Sequence, residues 1–124
     1  MRRVVVSGIG AVTPLGGDIK STWENLVKNK SGANLISKFD TSDFQTKISC
    51  EVPLKNDQES SASSFDSSKW FSSKDLRKVD DFIIFGVAAA EMALEDSLLK
   101  NHNFDPNKIG VGVDSGLGGL PNNK

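Results

Sequence analysis

The sequence predicts an α/β protein with a mostly parallel sheet and packed helices, on three observations. A β-branched run closed by glycine opens the chain, a long apolar helical pattern fills residues from about 73 to 99, and "IGVGV" follows at 109–113. Strand, helices, strand is the outline of a parallel layer joined by a right-handed crossover.

Arg3 to Gly8, "RVVVSG", reads as a buried strand, because a short β-branched run closed by glycine suits a strand covered on both faces. Gly8, Gly10, Pro14, Gly16 and Gly17 then mark a loop. A helix is expected over Ser21 to Lys28. Ser21 and Glu24 have capping-box spacing, and Trp23, Leu26 and Val27 can share one face. Ile48, Cys50 and Val52 alternate with polar residues, the pattern of a short exposed strand or hairpin arm.

Eight of the seventeen residues from Asp57 to Ser73 are serine, so the segment buries little and reads as a mobile loop, with Trp70 and Phe71 placed to anchor its end. The long helix is expected from about Ser73 to Leu99, with Ser72 and Asp75 as its cap. Leu76, Val79, Ile83, Val87, Ala90, Leu94 and Leu98 recur every three or four residues within it. Phe82 and Phe85 widen the apolar surface beyond one stripe, and Gly86 with Ala88 to Ala90 is small enough for very close packing. Ile109 to Val113 reads as a second buried strand. Two strands and a hairpin cannot cover both faces of such a helix. The chain therefore needs a further partner surface, since exposed apolar area forfeits about 25 cal/mol per Å².

A length of 124 residues gives one domain, and 37% hydrophobic content with a net charge of −1 suits a globular chain. That balance argues against a general nucleic-acid binder. Apolar runs of only a few residues cannot span a bilayer, and Val4 to Val6 is too short for a signal-peptide core. The single cysteine, Cys50, excludes an internal disulfide and fits a reducing, cytoplasmic setting.

Gly8-Ile9-Gly10 after a strand invites a dinucleotide-binding reading, but the third glycine of that motif is replaced by Thr13 and the helix starts too late. Glycines that let the backbone approach another group closely explain the run better. Cys50 and His102 are the chain's nucleophile and imidazole base, but nothing in their spacing pairs them, and they are too few for a structural zinc site. No catalytic residue and no metal site is expected. Lys74, Arg77 and Lys78 have spacings that share one face. They form either a solvated face balanced by Asp75, Asp80 and Asp81 or a docking patch for an acidic or phosphorylated partner.

Five blocks in fixed order carry a resemblance: "RRVVVSGIGAVTPLG" at 2–16, "STWENLVKNKSG" at 21–32, "FDTSDF" at 39–44, "RKVDDFIIFGVAAAEMALEDS" at 77–97 and "IGVGVDSGLGGL" at 109–120. Together they resemble the amino-terminal portion of the β-ketoacyl-acyl-carrier-protein synthase II family, condensing enzymes of bacterial fatty-acid synthesis. The resemblance implies a partial thiolase-like fold over residues 1–120, the amino-terminal part of its first half, in a family of homodimers. It implies substrates carried on the phosphopantetheine arm of acyl carrier protein, with no separate cofactor. The family's cysteine, two histidines and lysine fall after the "SGLGG" segment, and neither Cys50 nor His102 matches them. The basic trio Lys74, Arg77 and Lys78 matches the family's carrier-protein docking patch, and Gly116 and Leu117 match the turn at its acyl pocket. Asp114 and the serine-rich stretch depart from the pattern, and residues 121–124, "PNNK", leave it altogether. The chain thus reads as truncated and inactive alone. The alternatives are a carrier-protein-binding fragment, a fragment completed by a separately encoded remainder, or a decayed product.

Overall fold

Asp18 starts the first helix. In the computed structural model, which describes residues 1–55, 61–116 and 119, its carboxylate accepts from Ser21 N at 2.7 Å while the Ser21 hydroxyl lies 3.4 Å from Asp18 N. This reciprocal cap places helix α1 at Ile19–Val27, two residues earlier than the Ser21–Glu24 spacing suggested. Burial opposes the charge on Asp18, but bonds from the Ser21 N–H and hydroxyl prevail and hold its carboxyl below the ordinary range. The preceding loop closes on itself through Thr13 and Gly16, which exchange backbone hydrogen bonds of 2.9 and 3.1 Å. Asn25 of α1 donates to the Leu15 carbonyl at 2.6 Å and fastens helix to loop.

Strands β1 (Asn34–Leu35) and β2 (Ile48–Ser49) pair antiparallel, Asn34 opposite Ser49 and Leu35 opposite Ile48. The exposed hairpin arm expected around Ile48 is therefore present. The two parallel strands are not. Among the described residues the sheet is this two-stranded ribbon. Val4 and Val6 are 94% and 80% exposed, and Val111 and Val113 are 88% and 87% exposed. Both runs have the β-branched side chains of strands, but among the described residues no neighbouring backbone offers them a ladder, and a strand exists only as part of one.

Helix α2 spans Asp81–Asp96, shorter at both ends than the expected 73–99. At its start Asp80 takes extended backbone, φ −78° and ψ 157°, which interrupts helical continuation from the turn before it. At its end Leu98 sits in the left-handed region at φ 55°, where the helix cannot propagate. The Ser72–Asp75 cap does form, the Ser72 hydroxyl lying 2.6 Å from the Asp75 carboxylate and 3.3 Å from its N–H. It caps a separate turn over residues 73–78 and not α2.

The core is small and centres on Phe65, Ile84 and Ala88, with Val52, Trp70, Leu76, Val79 and Phe85 packed against it. Phe65 comes from the serine-rich stretch. Its N–H donates to the Pro53 carbonyl at 2.7 Å, its carbonyl accepts from Lys55 N at 2.9 Å, and its ring meets Phe85 edge-on at 5.3 Å. The described part of that stretch is thus anchored from Phe65 onward, earlier than Trp70, because one aromatic among serines can be buried while their hydroxyls stay outside. The expected loop's residues 57–60 lie outside the described residues.

Gly8 and Gly10 lie directly against α2. A Cβ at Gly10 would stand 2.7 Å from Ala93 N and 2.8 Å from Met92 Cβ, and one at Gly8 would stand 2.6 Å from Ser97 N. Between them, Ile9 N donates to the Asp96 carboxylate at 2.9 Å. This is the close approach expected of those glycines, and the small residues it meets include Ala89 and Ala93. Gly86 belongs to no such contact, since a Cβ there would meet nothing within 4 Å.

Candidate functional site

The turn over residues 73–78 sorts its side chains by chemistry. Leu76 and, just beyond, Val79 pack inward against the core, while Lys74, Arg77 and Lys78 stand exposed. The backbone is fixed by Leu76 N to the Ser72 carbonyl at 3.0 Å and Lys78 N to the Asp75 carbonyl at 2.9 Å. Arg77 Nε donates to the Ser73 carbonyl at 3.2 Å, which orients the guanidinium along the turn.

The trio therefore lies ahead of α2, not within its first turns. The penalty of cations at a helix N-terminus is avoided, because Asp80 and Asp81 separate the three from the α2 backbone. Nor do the neighbouring acids neutralise it by direct pairing. Asp81 lies 3.5 Å from Lys38 Nζ, Asp75 bonds Ser72, and among the described residues no ion pair includes Lys74, Arg77 or Lys78. The result is an exposed triple cation on a rigid turn. Such an arrangement suits an anionic partner surface, with attraction that salt weakens.

Gly116, the other expected site residue, is exposed, and a Cβ on it would meet nothing within 4 Å. Leu117, expected beside it at the acyl pocket, lies outside the described residues, as do residues 118 and 120–124. Gly119 nevertheless lies against the start of α2. A Cβ built on Gly119 would lie 2.6 Å from Asp80 Cγ and 3.0 Å from Phe82 Cε1. Asp80 makes no side-chain capping bond to α2, and its carboxylate lies against Gly119. This puts Gly119 beside the junction that follows the basic turn. Neither residue announces the contact in the sequence, since it depends on how the chain folds back.

Cys50 is exposed after β2, and the imidazole of His102 lies 5.6 Å from the ring of Phe104. No bond joins Cys50 to His102. Among the described residues no group of three or more His, Cys, Asp or Glu is placed to hold a metal ion. An open groove of about 380 Å³ lies elsewhere, lined by Asp18, Lys20, Ser21, Glu24, Asn25 and Ser63 among others. It does not include Gly116. Among the described residues no helix is long and apolar enough to cross a membrane.

Comparison with known proteins supplies a context for this arrangement. The family described as "Beta-ketoacyl synthase, N-terminal domain" matches residues 1–123. The 3-oxoacyl-[acyl-carrier-protein] synthase 2 of Vibrio cholerae is 40% identical over 119 residues, 96% of this chain and 26% of that protein. The proteins of the same name from Coxiella burnetii and Rhizobium meliloti are each 38% identical, over 97% of this chain and 27% and 28% of their own lengths. The chain thus spans about a quarter of the length of the curated relatives it matches.

Proposed function

The chain belongs to the β-ketoacyl synthase family through its N-terminal domain, and on that premise we propose that it is the amino-terminal part of a condensing enzyme of fatty-acid synthesis. The reaction is the decarboxylative condensation of an acyl group with malonyl-acyl-carrier protein. An acyl group passes from the carrier's thiol to an enzyme cysteine. Loss of carbon dioxide from the malonyl unit then supplies the carbanion that attacks the acyl thioester. In this reading residues 1–124 contribute recognition and framework, and exposed Cys50 and His102, which lies beside Phe104, take no part in that chemistry.

The observation that carries this reading is the exposed trio Lys74, Arg77 and Lys78, which among the described residues takes part in no ion pair, on a turn fixed by its own hydrogen bonds. The trio docks acyl carrier protein, an acidic partner whose phosphopantetheine arm delivers the substrate. Gly116 and Leu117 form part of the acyl-pocket wall. The bare valines at 4–6, 111 and 113 belong in a thiolase-like, mostly parallel sheet whose other strands come from the remainder of the enzyme, within a homodimer.

Residues 1–124 alone are expected to form no 3-oxoacyl product from acyl- and malonyl-carrier protein while retaining the carrier protein on a column at low salt. Product formation by the purified chain, or retention unaffected by replacing the trio with glutamates, overturns the reading. A second reading, that the chain works by joining a separately encoded remainder, is favoured by the exposed valines. Co-expression with the carboxy-terminal three-quarters of a relative tests it, by restored condensation.

A further inference from the structure

Residues 108–114, "KIGVGVD", form a run that is complementary to its own reverse. Lysine opens it and aspartate closes it, glycines stand at 110 and 112, and Val111 is the midpoint. The backbone is extended at Ile109, φ −106° and ψ 125°, and continues through Asp114 with neither turn nor bend. Every residue of the run is exposed. Among the described residues, Gly110 to Asp114 make no backbone hydrogen bond, and neither Lys108 nor Asp114 joins an ion pair. A Cβ on Gly110 or Gly112 would meet nothing within 4 Å, so the glycine side of the run is open as well.

We propose that this run pairs with itself, antiparallel about Val111, and so joins two copies of the chain. Side chains alternate along a strand, which puts Ile109, Val111 and Val113 on one face and Lys108, Gly110, Gly112 and Asp114 on the other. A twofold axis at Val111 sets Ile109 opposite Val113, Gly110 opposite Gly112 and Lys108 opposite Asp114, each pair made across the two copies. The second copy supplies the ladder that the run lacks, a lysine–aspartate pair closes each end, and six apolar side chains meet on one face. The charges select this arrangement over its rivals. Parallel copies in register would set lysine against lysine and aspartate against aspartate, which repels. Slipping the antiparallel register by one residue sets valine opposite glycine and mixes the two faces, and slipping it by two loses both charge pairs. The pair is smaller than a standard interface of roughly 1,200–2,000 Å², so association should be reversible, with Kd on the order of 10–100 μM.

The inference is independent of carrier-protein docking. In residues 1–124 by themselves, a second copy takes the place that the reading above gives to strands from the remainder of the enzyme. Sedimentation equilibrium of residues 1–124 at low salt, from about 5 to 500 μM, should show monomer and dimer and no larger species. Lys108→Asp alone and Asp114→Lys alone each set like charges opposite one another at both ends, and each should raise Kd by about fivefold or more. An equimolar mixture of these two variants should recover the affinity, because one then carries two acids and the other two lysines. The double exchange of Lys108→Asp with Asp114→Lys should recover it too. Helical circular dichroism checks the fold of each variant. If a single variant does not fold, Val111→Lys, which sets two like charges together on the axis, must weaken the dimer while the double exchange preserves it. A monomer at every concentration, or a Kd that ignores both single reversals, overturns the pairing and leaves the remainder of the enzyme as the neighbour of this strand. Growth beyond the dimer overturns it as well, since a twofold pair is closed.

Discussion

Glycine-to-alanine exchange at two positions should have opposite signs. At Gly10 the new Cβ would stand 2.7 Å from Ala93 N and 2.8 Å from Met92 Cβ, with the Ala89 carbonyl nearer still. Backbone cannot yield as a side-chain tip can, so the opening segment must lift from α2. Overpacking of this kind costs about 1–3 kcal/mol. Lifting also strains the Ile9 N–H bond to Asp96, 2.9 Å long and worth about 0.5–1.5 kcal/mol in an exposed setting. Asp96 is a carboxylate at a helix C-terminus, where the dipole disfavours it, so losing its donor leaves that repulsion uncompensated. The total for Gly10→Ala is about 1.5–4.5 kcal/mol of destabilisation.

Gly86 lies mid-helix with nothing within 4 Å of a Cβ and no positive φ. Gly86→Ala should therefore stabilise by about 0.5–1 kcal/mol through helix propensity. Urea unfolding followed by circular dichroism reads both. With m of about 1.5 kcal/mol/M, Gly10→Ala should lower the midpoint by about 1 M or more and Gly86→Ala raise it by about 0.5 M. A neutral Gly10→Ala would refute the close packing of the opening segment on α2. A destabilising Gly86→Ala would mean that another surface already occupies that side of the helix.

Two further perturbations test local features. The Asp66 carboxyl is held down to about 2 by bonds from Ser68 and then by Lys55. A depressed folded pKa gives stability that is present above the ordinary 3.8 and lost as pH falls towards about 2. The Tm gap between the unaltered chain and Asp66→Asn should close over that interval, and a gap independent of pH would contradict it. Leu98 is exposed and left-handed at φ 55°, so Leu98→Gly should gain about 1 kcal/mol by relieving the strain, a result checked by the same urea midpoints. Loss of stability would show that packing of the Leu98 side chain outweighs its backbone cost.

What the sequence made legible was local. α1, the hairpin arm at Ile48 and the apolar centre of α2 follow from capping chemistry and periodicity, which depend on residues a few positions apart. The ends of α2 are not legible in the sequence because apolar spacing continues smoothly through Val79 and Leu98, while the interruptions come from backbone angles at Asp80 and Leu98 that spacing does not record. Phe65 was hidden by its serine neighbours, since composition averages away a single buried ring. The valine runs at both ends failed as strands for a different reason. Their side chains have the right character, but a strand also requires a neighbour, and within the described residues none is supplied. In the site, spacing places Lys74, Arg77 and Lys78 on one face but does not choose between a solvated face and a docking patch. The Asp80–Gly119 contact was invisible because it joins residues distant in sequence.

The central claim is that the basic turn docks an acidic carrier protein. Its most direct test is the affinity of residues 1–124 for holo acyl carrier protein, measured by isothermal titration at low and at physiological salt. Binding should weaken as salt rises and vanish when Lys74, Arg77 and Lys78 are all changed to glutamate with the helical signal of the chain preserved. Affinity that ignores both salt and the triple reversal would contradict the account.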